Sequence, residues 1–483
     1  MSTNPVIIIG SGMAGYTLAR ELRKLNADIA ITLICRDAGE SYAKPTLSNA
    51  LAQGKLADSI ALSDASKMAN ALNLTVYNFY NVSHINSDQK TLTLHPVLAS
   101  DKQQILPYSK LILATGANAR QLPHVPIDYK TVFSVNHLDD YRKFQQLFHE
   151  KLKQTLANKQ NKTTQPNDNL PPLKIVIIGA GLIGCEFAND ILTHTLTLAE
   201  VSEPLDLIVN QATTINPVEK TSLPLTVTLI DKAPYPMANQ LPKLAGNALQ
   251  TALERVGANF MLGADIVSVE NQSSKNSENR VSQITIKNAD GEKVAIQADM
   301  VLVATGLVAN TELAEQTGLA VAHLSSALAT IKEIPTHLPR TAQQGILVDK
   351  FLQTSQPDIY AIGDCANVMG SFMPYVMPLM TQAKTLAKTL ADNFINNDLP
   401  ATPIKYPAMP VAIKTPSCPL VLLPVSARYA ENDIVWENQP TDDGMMLLAK
   451  EKANVEQLLG FVLVGKVAGK QRMTLAKQVS DWL

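Results

Sequence analysis

Cysteine is scarce in this chain: Cys35, Cys185, Cys365 and Cys418 are its only thiols, widely spaced and without a CxxC pair. Thiols scattered in this way cannot assemble an iron-sulfur or zinc site from one local motif. They read as reduced core residues, and no metal is expected. An excess of one charge is also missing. With 41 Lys+Arg against 43 Asp+Glu and a formal net charge of -2, no basic surface points to nucleic acid, and charge names no partner. No apolar run reaches the ~18–20 residues a membrane-crossing helix requires, and the opening MSTNPVIIIG has neither a basic n-region nor a cleavage-like site. A cytoplasmic protein without a membrane span is the expectation.

What is present describes an ordinary globular protein, 46% apolar and 17% charged, long enough at 483 residues for ~3 domains. Polar stretches at 153–172, around 195–223, at 269–280 and at roughly 321–344 cannot bury enough apolar area to offset ordering, so they read as surface loops or insertions. Between them lie short β-branched runs, among them VIIIG, IAITLI, KLILATG, KIVIIG, LTVTLI, DMVLVATG and DIYAIGD, several followed by helical patterns. This alternation predicts an α/β fold with parallel sheets covered on both faces.

Two segments repeat, VIIIGSGMAG and IVIIGAGLIG, about 170 residues apart, which predicts two Rossmann-like dinucleotide-binding folds in one chain. Gly10, Gly12 and Gly15 give G-x-G-x-x-G between the strand Val6 to Ile9 and a helix-like run, with Met13 and Ala14 inside the turn. The glycines allow a tight turn and close backbone approach, and the helix N-terminus offers free N–H groups to a pyrophosphate. A carboxylate for the ribose belongs at the end of the next strand, about 20 residues on. That strand ends in Cys35-Arg36-Asp37, with Asp37 the nearest acid and Glu40 the next. The second cradle is Gly179, Gly181 and Gly184, followed by Glu186; Asp231 at the end of LTVTLID is preferred over Asn210 as its strand-end residue. An acid there favours NADH over NADPH, an inference that Lys232 beside it weakens.

A third element, Gly363-Asp364 after DIYAI, would meet the hydroxyls of an extended ligand lying along the first cradle. The ordered set of GxGxxG, LILATG with Thr115 and Gly116, a second GxGxxG with Glu186, VLVATG with Gly306, and YAIGD resembles the two-dinucleotide flavoprotein reductases. SYAKPTLS, GAGLIGCEFAND, PYVMPLM and KTPSCPLVL are most similar to the bacterial rubredoxin reductase family. The resemblance implies FAD in a first fold at 1–123 and 309–400, NADH as electron donor in a second at 124–308, and a small α+β C-terminal domain at 401–483. It implies a reductase that passes electrons singly to rubredoxin and so supplies alkane hydroxylation. The alternatives are an NADH-dependent ferredoxin reductase of an oxygenase, and, from another class, a flavin-binding signalling or structural protein.

The same resemblance assigns roles. Lys44 places an ammonium near the flavin and Glu186 pairs with it, the two forming the catalytic pair; relatives that reduce ferredoxin carry a later lysine where Asn49 stands. A helix beginning near Leu379 aims its positive end at the flavin, with Val376 against the ring and Lys414 approaching from the C-terminal domain. Val82 holds adenine through its backbone, and Cys35, Arg36 and Asp37 are expected among the cofactor-binding residues. Relatives that reduce peroxide, oxygen or disulfides place cysteine at or near the position of Thr46. With no cysteine there, the flavin has no internal thiol acceptor and must discharge to an external iron protein.

Overall fold

A computed structural model describes residues 4–98, 102–161, 172–200, 225–273, 280–322, 344–396, 399–426 and 429–481. Much of the polar sequence, Asn210 included, lies outside these residues. The described part of the first polar stretch differs from the loop expected there: one helix runs from Leu138 to Asn161. Its Lys, Gln, Leu and Ala are strong helix formers, so propensity outweighs polarity.

The run VIII forms the strand Val6–Ile9, buried along its whole length as a central strand covered on both faces should be. It sits in the middle of a parallel sheet ordered Ile359–Ala361, Lys110–Leu113, Val6–Ile9, Ile31–Cys35, Thr75–Asn78. The second sheet repeats the plan, in the order Ala258–Leu262, Leu225–Asp231, Leu173–Ile178, Met300–Val303, Val132–Phe133, again all parallel. Each unit also carries a three-stranded antiparallel meander, over Tyr80–Pro107 in the first and Asp265–Ala298 in the second. An antiparallel pair, Ala117–Ala119 with Leu307–Ala309, ties the two units where the chain leaves one and returns.

Helices Met13–Leu25 and Val376–Ile395 pack together over the first sheet. The second helix starts at Val376, one turn before the expected Leu379, because Pro378 falls in its first turn, where a missing N–H costs nothing. The C-terminal unit is a five-stranded antiparallel sheet with the helix Val467–Ala476 against it. Its Ile413, Leu420 and Leu422 share one apolar cluster with Phe187 of the second unit and with Leu47 and Leu51. The segment from Lys44 onward is therefore wedged where all three units meet.

Candidate functional site

A cavity of about 860 Å³ opens along the C-terminal ends of the first sheet's strands, where parallel α/β sheets place their ligands. Its lining includes Gly10, Gly12, Met13 and Ala14 of the first cradle, Cys35, Arg36, Asp37 and Val82 beside it, and Thr115, Gly116, Gly363 and Asp364. Lys44, Glu186, Val376 and Lys414 line it too. Val82 lies inside the strand Tyr80–Asn86, at a register shift, rather than before a strand.

The cradle glycines divide by what surrounds them. A Cβ on Gly10 would meet the Ala114 carbonyl oxygen at 2.2 Å, and one on Gly15 would meet the Gly10 carbonyl oxygen at 2.0 Å, so the first serves the approach of two strand ends and the second the packing of helix on strand. A Cβ on Gly12 would meet nothing within 4 Å. Its openness therefore serves a ligand. The helix it caps has no acidic residue in its first turn and no side-chain cap, so its N–H groups are free for an anion such as a pyrophosphate. The residues present thus fit the diphosphate of FAD.

The second cradle has the same anatomy outside that cavity. A Cβ on Gly179 would meet the Ala304 carbonyl oxygen at 2.5 Å and one on Gly184 the Gly179 carbonyl oxygen at 1.9 Å, while one on Gly181 would meet nothing within 4 Å. Asp231 ends its strand and accepts the Ala180 and Ala233 N–H groups at 2.6 and 2.8 Å. Asp37 is engaged in the same way, by Gly39 N–H at 2.9 Å and the Ser11 hydroxyl at 3.3 Å. Glu40, the other acid considered for the ribose, is held by both terminal nitrogens of Arg142 at 2.8 and 2.9 Å. Gly306, at φ 104, turns the chain into Leu307–Ala309.

The expected pairing of Lys44 with Glu186 does not form. Glu186, only 1% exposed, takes its charge from Lys414, whose ammonium bonds Oε2 and whose backbone N–H reaches Oε1 at 2.9 Å. Ser48 adds a hydroxyl bond to Oε2 at 2.6 Å. Lys414 lies 228 residues downstream and enters from the C-terminal unit, a contact that local spacing does not reveal. Lys44 instead sits in the field of Asp364 and Asp140; burial pushes its pKa down while both acids oppose the shift. Burial raises the Asp364 carboxyl in turn, and Lys44 counters it.

The segment Lys44–Ser48 is a short 3-10 helix with Thr46 at its centre. Cys35 is the one thiol at the cavity, and burial, reinforced by Asp37, pushes it up to about 12, far from thiolate formation at neutral pH. All four cysteines are free and buried. Among the described residues no cluster suits a metal ion, and no helix is long and apolar enough to cross a membrane.

Three site features went unread in the sequence. Ser48 stood inside SYAKPTLS without a role, and Asn189 and Asp190 follow Glu186 at i+3 and i+4. Polar residues at that spacing, flanked by the apolar Phe187, Ala188, Ile191 and Leu192, were the available signal. Gln240 bonds the Tyr375 hydroxyl at 3.2 Å, bridging the second unit to the start of the helix Val376–Ile395.

Comparison with known proteins adds the context. Residues 4–385 match a family model described as pyridine nucleotide-disulphide oxidoreductase, and residues 403–479 one described as rubredoxin binding C-terminal domain. A rubredoxin-NAD(+) reductase of Acinetobacter baylyi is 40% identical over 478 residues, covering 99% of this chain and 98% of that protein. Another, from Alcanivorax borkumensis, is 33% identical over 476 residues, with 99% and 98% covered. Among solved structures, a covalent putidaredoxin reductase-putidaredoxin complex aligns with a TM-score of 0.70 at 20% identity, over 99% of this chain and 94% of that one. The ferredoxin reductase of the CYP199A2 system from Rhodopseudomonas palustris aligns at 0.68 and 21%, over 99% and 96%.

Proposed function

Since the chain belongs to the pyridine nucleotide-disulphide oxidoreductase family, we propose that it is an NADH-dependent FAD reductase whose electron acceptor is rubredoxin. FAD held there would supply the link between a two-electron hydride donor and a one-electron iron centre. The observation that carries the reading is the cavity wall, where residues from all three units converge and no thiol stands ready to accept electrons.

In this reading, Gly12 and the helix behind it hold the FAD diphosphate, Asp364 accepts from the hydroxyls of its chain, and Val82 backs the adenine. Lys44 places a positive charge where reduction builds negative charge on the ring. The start of the helix Val376–Ile395 adds its dipole there, with Val376 against the ring. Gly181 and Asp231 hold NADH, and Glu186, fixed by Lys414 and Ser48, shapes the wall between the two nucleotides. Division of the chain at 1–123, 124–308, 309–400 and 401–483 is part of the proposal, with the last unit receiving rubredoxin. A cytoplasmic setting and supply of electrons to alkane hydroxylation belong to it as well.

The test offers rubredoxin, a [2Fe-2S] ferredoxin, a disulfide and peroxide to the FAD-loaded protein with NADH under identical conditions. Rubredoxin is expected to turn over fastest. Preference for disulfide or peroxide would refute the proposal, and preference for ferredoxin would replace the acceptor.

A further inference from the structure

One turn beyond Glu186, its helix presents two buried polar residues that the chemistry above leaves without a part. Asn189 and Asp190 are each 1% exposed. Asp190 accepts the Leu51 N–H through Oδ2 at 3.0 Å and the Ala52 N–H through Oδ1 at 2.8 Å. Asn189 accepts the Ser417 N–H at 3.2 Å. One face of a single helix thus holds the segment behind Ser48 and the loop behind Lys414, and Ser48 and Lys414 are the two residues that bond Glu186.

A buried carboxyl is costly unless its oxygens are hydrogen-bonded, and the partners of Asp190 are backbone amides rather than a cation. Burial, with Glu186 one turn away, pushes its carboxyl up to about 7, while the two amides and the more distant Lys414 oppose the shift. A carboxylic acid placed at such expense fixes something specific. Its two amides belong to the segment whose Lys44, Pro45, Leu47 and Ser48 line the cavity.

We infer that Asp190 is a positioning residue for hydride delivery: by clamping the Leu51 and Ala52 amides it fixes Ser48, and through Ser48 it orients the Glu186 carboxylate at the cavity wall. The inference rests on the proposed reaction from NADH to FAD. It differs from a merely stabilising role because it requires Asp190 and Ser48 to act as one unit. Residues acting through a shared partner give non-additive effects, whereas independent ones multiply.

The experiment is a double-mutant cycle on the FAD-loaded full chain, following anaerobic bleaching of the flavin by NADH in stopped flow. Asp190→Asn and Ser48→Ala are each expected to slow bleaching by about 10-fold, with the apparent NADH affinity little changed and the visible flavin spectrum shifted. The double variant is expected to be no slower than the slower single one. Losses that multiply to about 100-fold, or an Asp190→Asn protein that bleaches at the unaltered rate, would overturn the inference. Hydrogen exchange on the unaltered protein provides a second reading that needs no variant to fold: the Leu51 and Ala52 amides should exchange at least about 10-fold more slowly than the adjacent Gln53 amide. Equal rates overturn it too. An unaltered protein that NADH does not bleach overturns the functional reading along with the inference, an outcome that the variants cannot mimic.

Discussion

Single atoms separate residues that serve the fold from residues that serve a ligand. A methyl on Gly15 would stand 2.0 Å from a backbone oxygen, whereas one on Gly12 would stand in open space. Gly15→Ala should therefore lower the melting temperature of the FAD-free protein. Gly12→Ala should leave that temperature within about 1 °C and cut FAD affinity roughly 10-fold, about 1.4 kcal/mol, as read by flavin fluorescence on dilution. Gly181→Ala should keep FAD and raise the KM for NADH by a similar factor. The motif spacing was legible in the sequence, but the difference between its glycines was not, because it depends on how closely the Gly10 and Ala114 carbonyls approach in the folded chain. Asp190 gives a second prediction. Its folded pKa, about 7, lies above the usual carboxylate value near 4, so its contribution is fully present in acid and is lost as pH rises through 7. Measured against Asp190→Asn, the stability of the unaltered protein should gain by up to about 1.4 kcal/mol for each pH unit lowered between 7 and 5. A flat or inverted difference in chemical denaturation would show that the carboxyl is ionised throughout.

Among the elements, the strands announced themselves and the loops that meet at the site did not. Buried β-branched runs such as VIII and IVII admit one arrangement, and both central strands lie where their patterns put them. The helix start at Val376 was obscured by Pro378, which reads as a break in sequence and fits as a first-turn residue in space. The loop at Lys414 could not be connected to Glu186 from sequence, since a contact across 228 residues leaves no local periodicity. Their bond predicts a consequence for the docking of that loop. Lys414→Met strands a carboxylate that is 1% exposed, at a cost of about 2–3 kcal/mol. That is below the ~3–5 kcal/mol of a fully buried pair, because Lys414 is 27% exposed. Urea denaturation should report the loss, and Lys414→Met with Glu186→Gln should recover most of it. An unchanged midpoint in the single variant would mean that the pair carries no net stability.

The whole molecule is two copies of one nucleotide-binding plan joined by a short antiparallel pair, with a third unit closing the seam. Repetition made the two folds legible, and the scarcity of cysteine made the outward route of the electrons legible. How the three units lock around the segment from Lys44 to Ala52 was not, because that depends on packing among distant parts of the chain. The central claim is that electrons cross the protein without touching sulfur of its own. It is tested most directly by reducing the FAD-loaded protein with one equivalent of NADH under anaerobic conditions and adding rubredoxin, in the unaltered chain and in a variant with Cys35, Cys185, Cys365 and Cys418 all replaced by serine or alanine. Flavin reoxidation at two rubredoxins per NADH, at the same rate in both proteins, is the result the account predicts. Bleaching by NADH that persists in the variant while transfer to rubredoxin stops would contradict it.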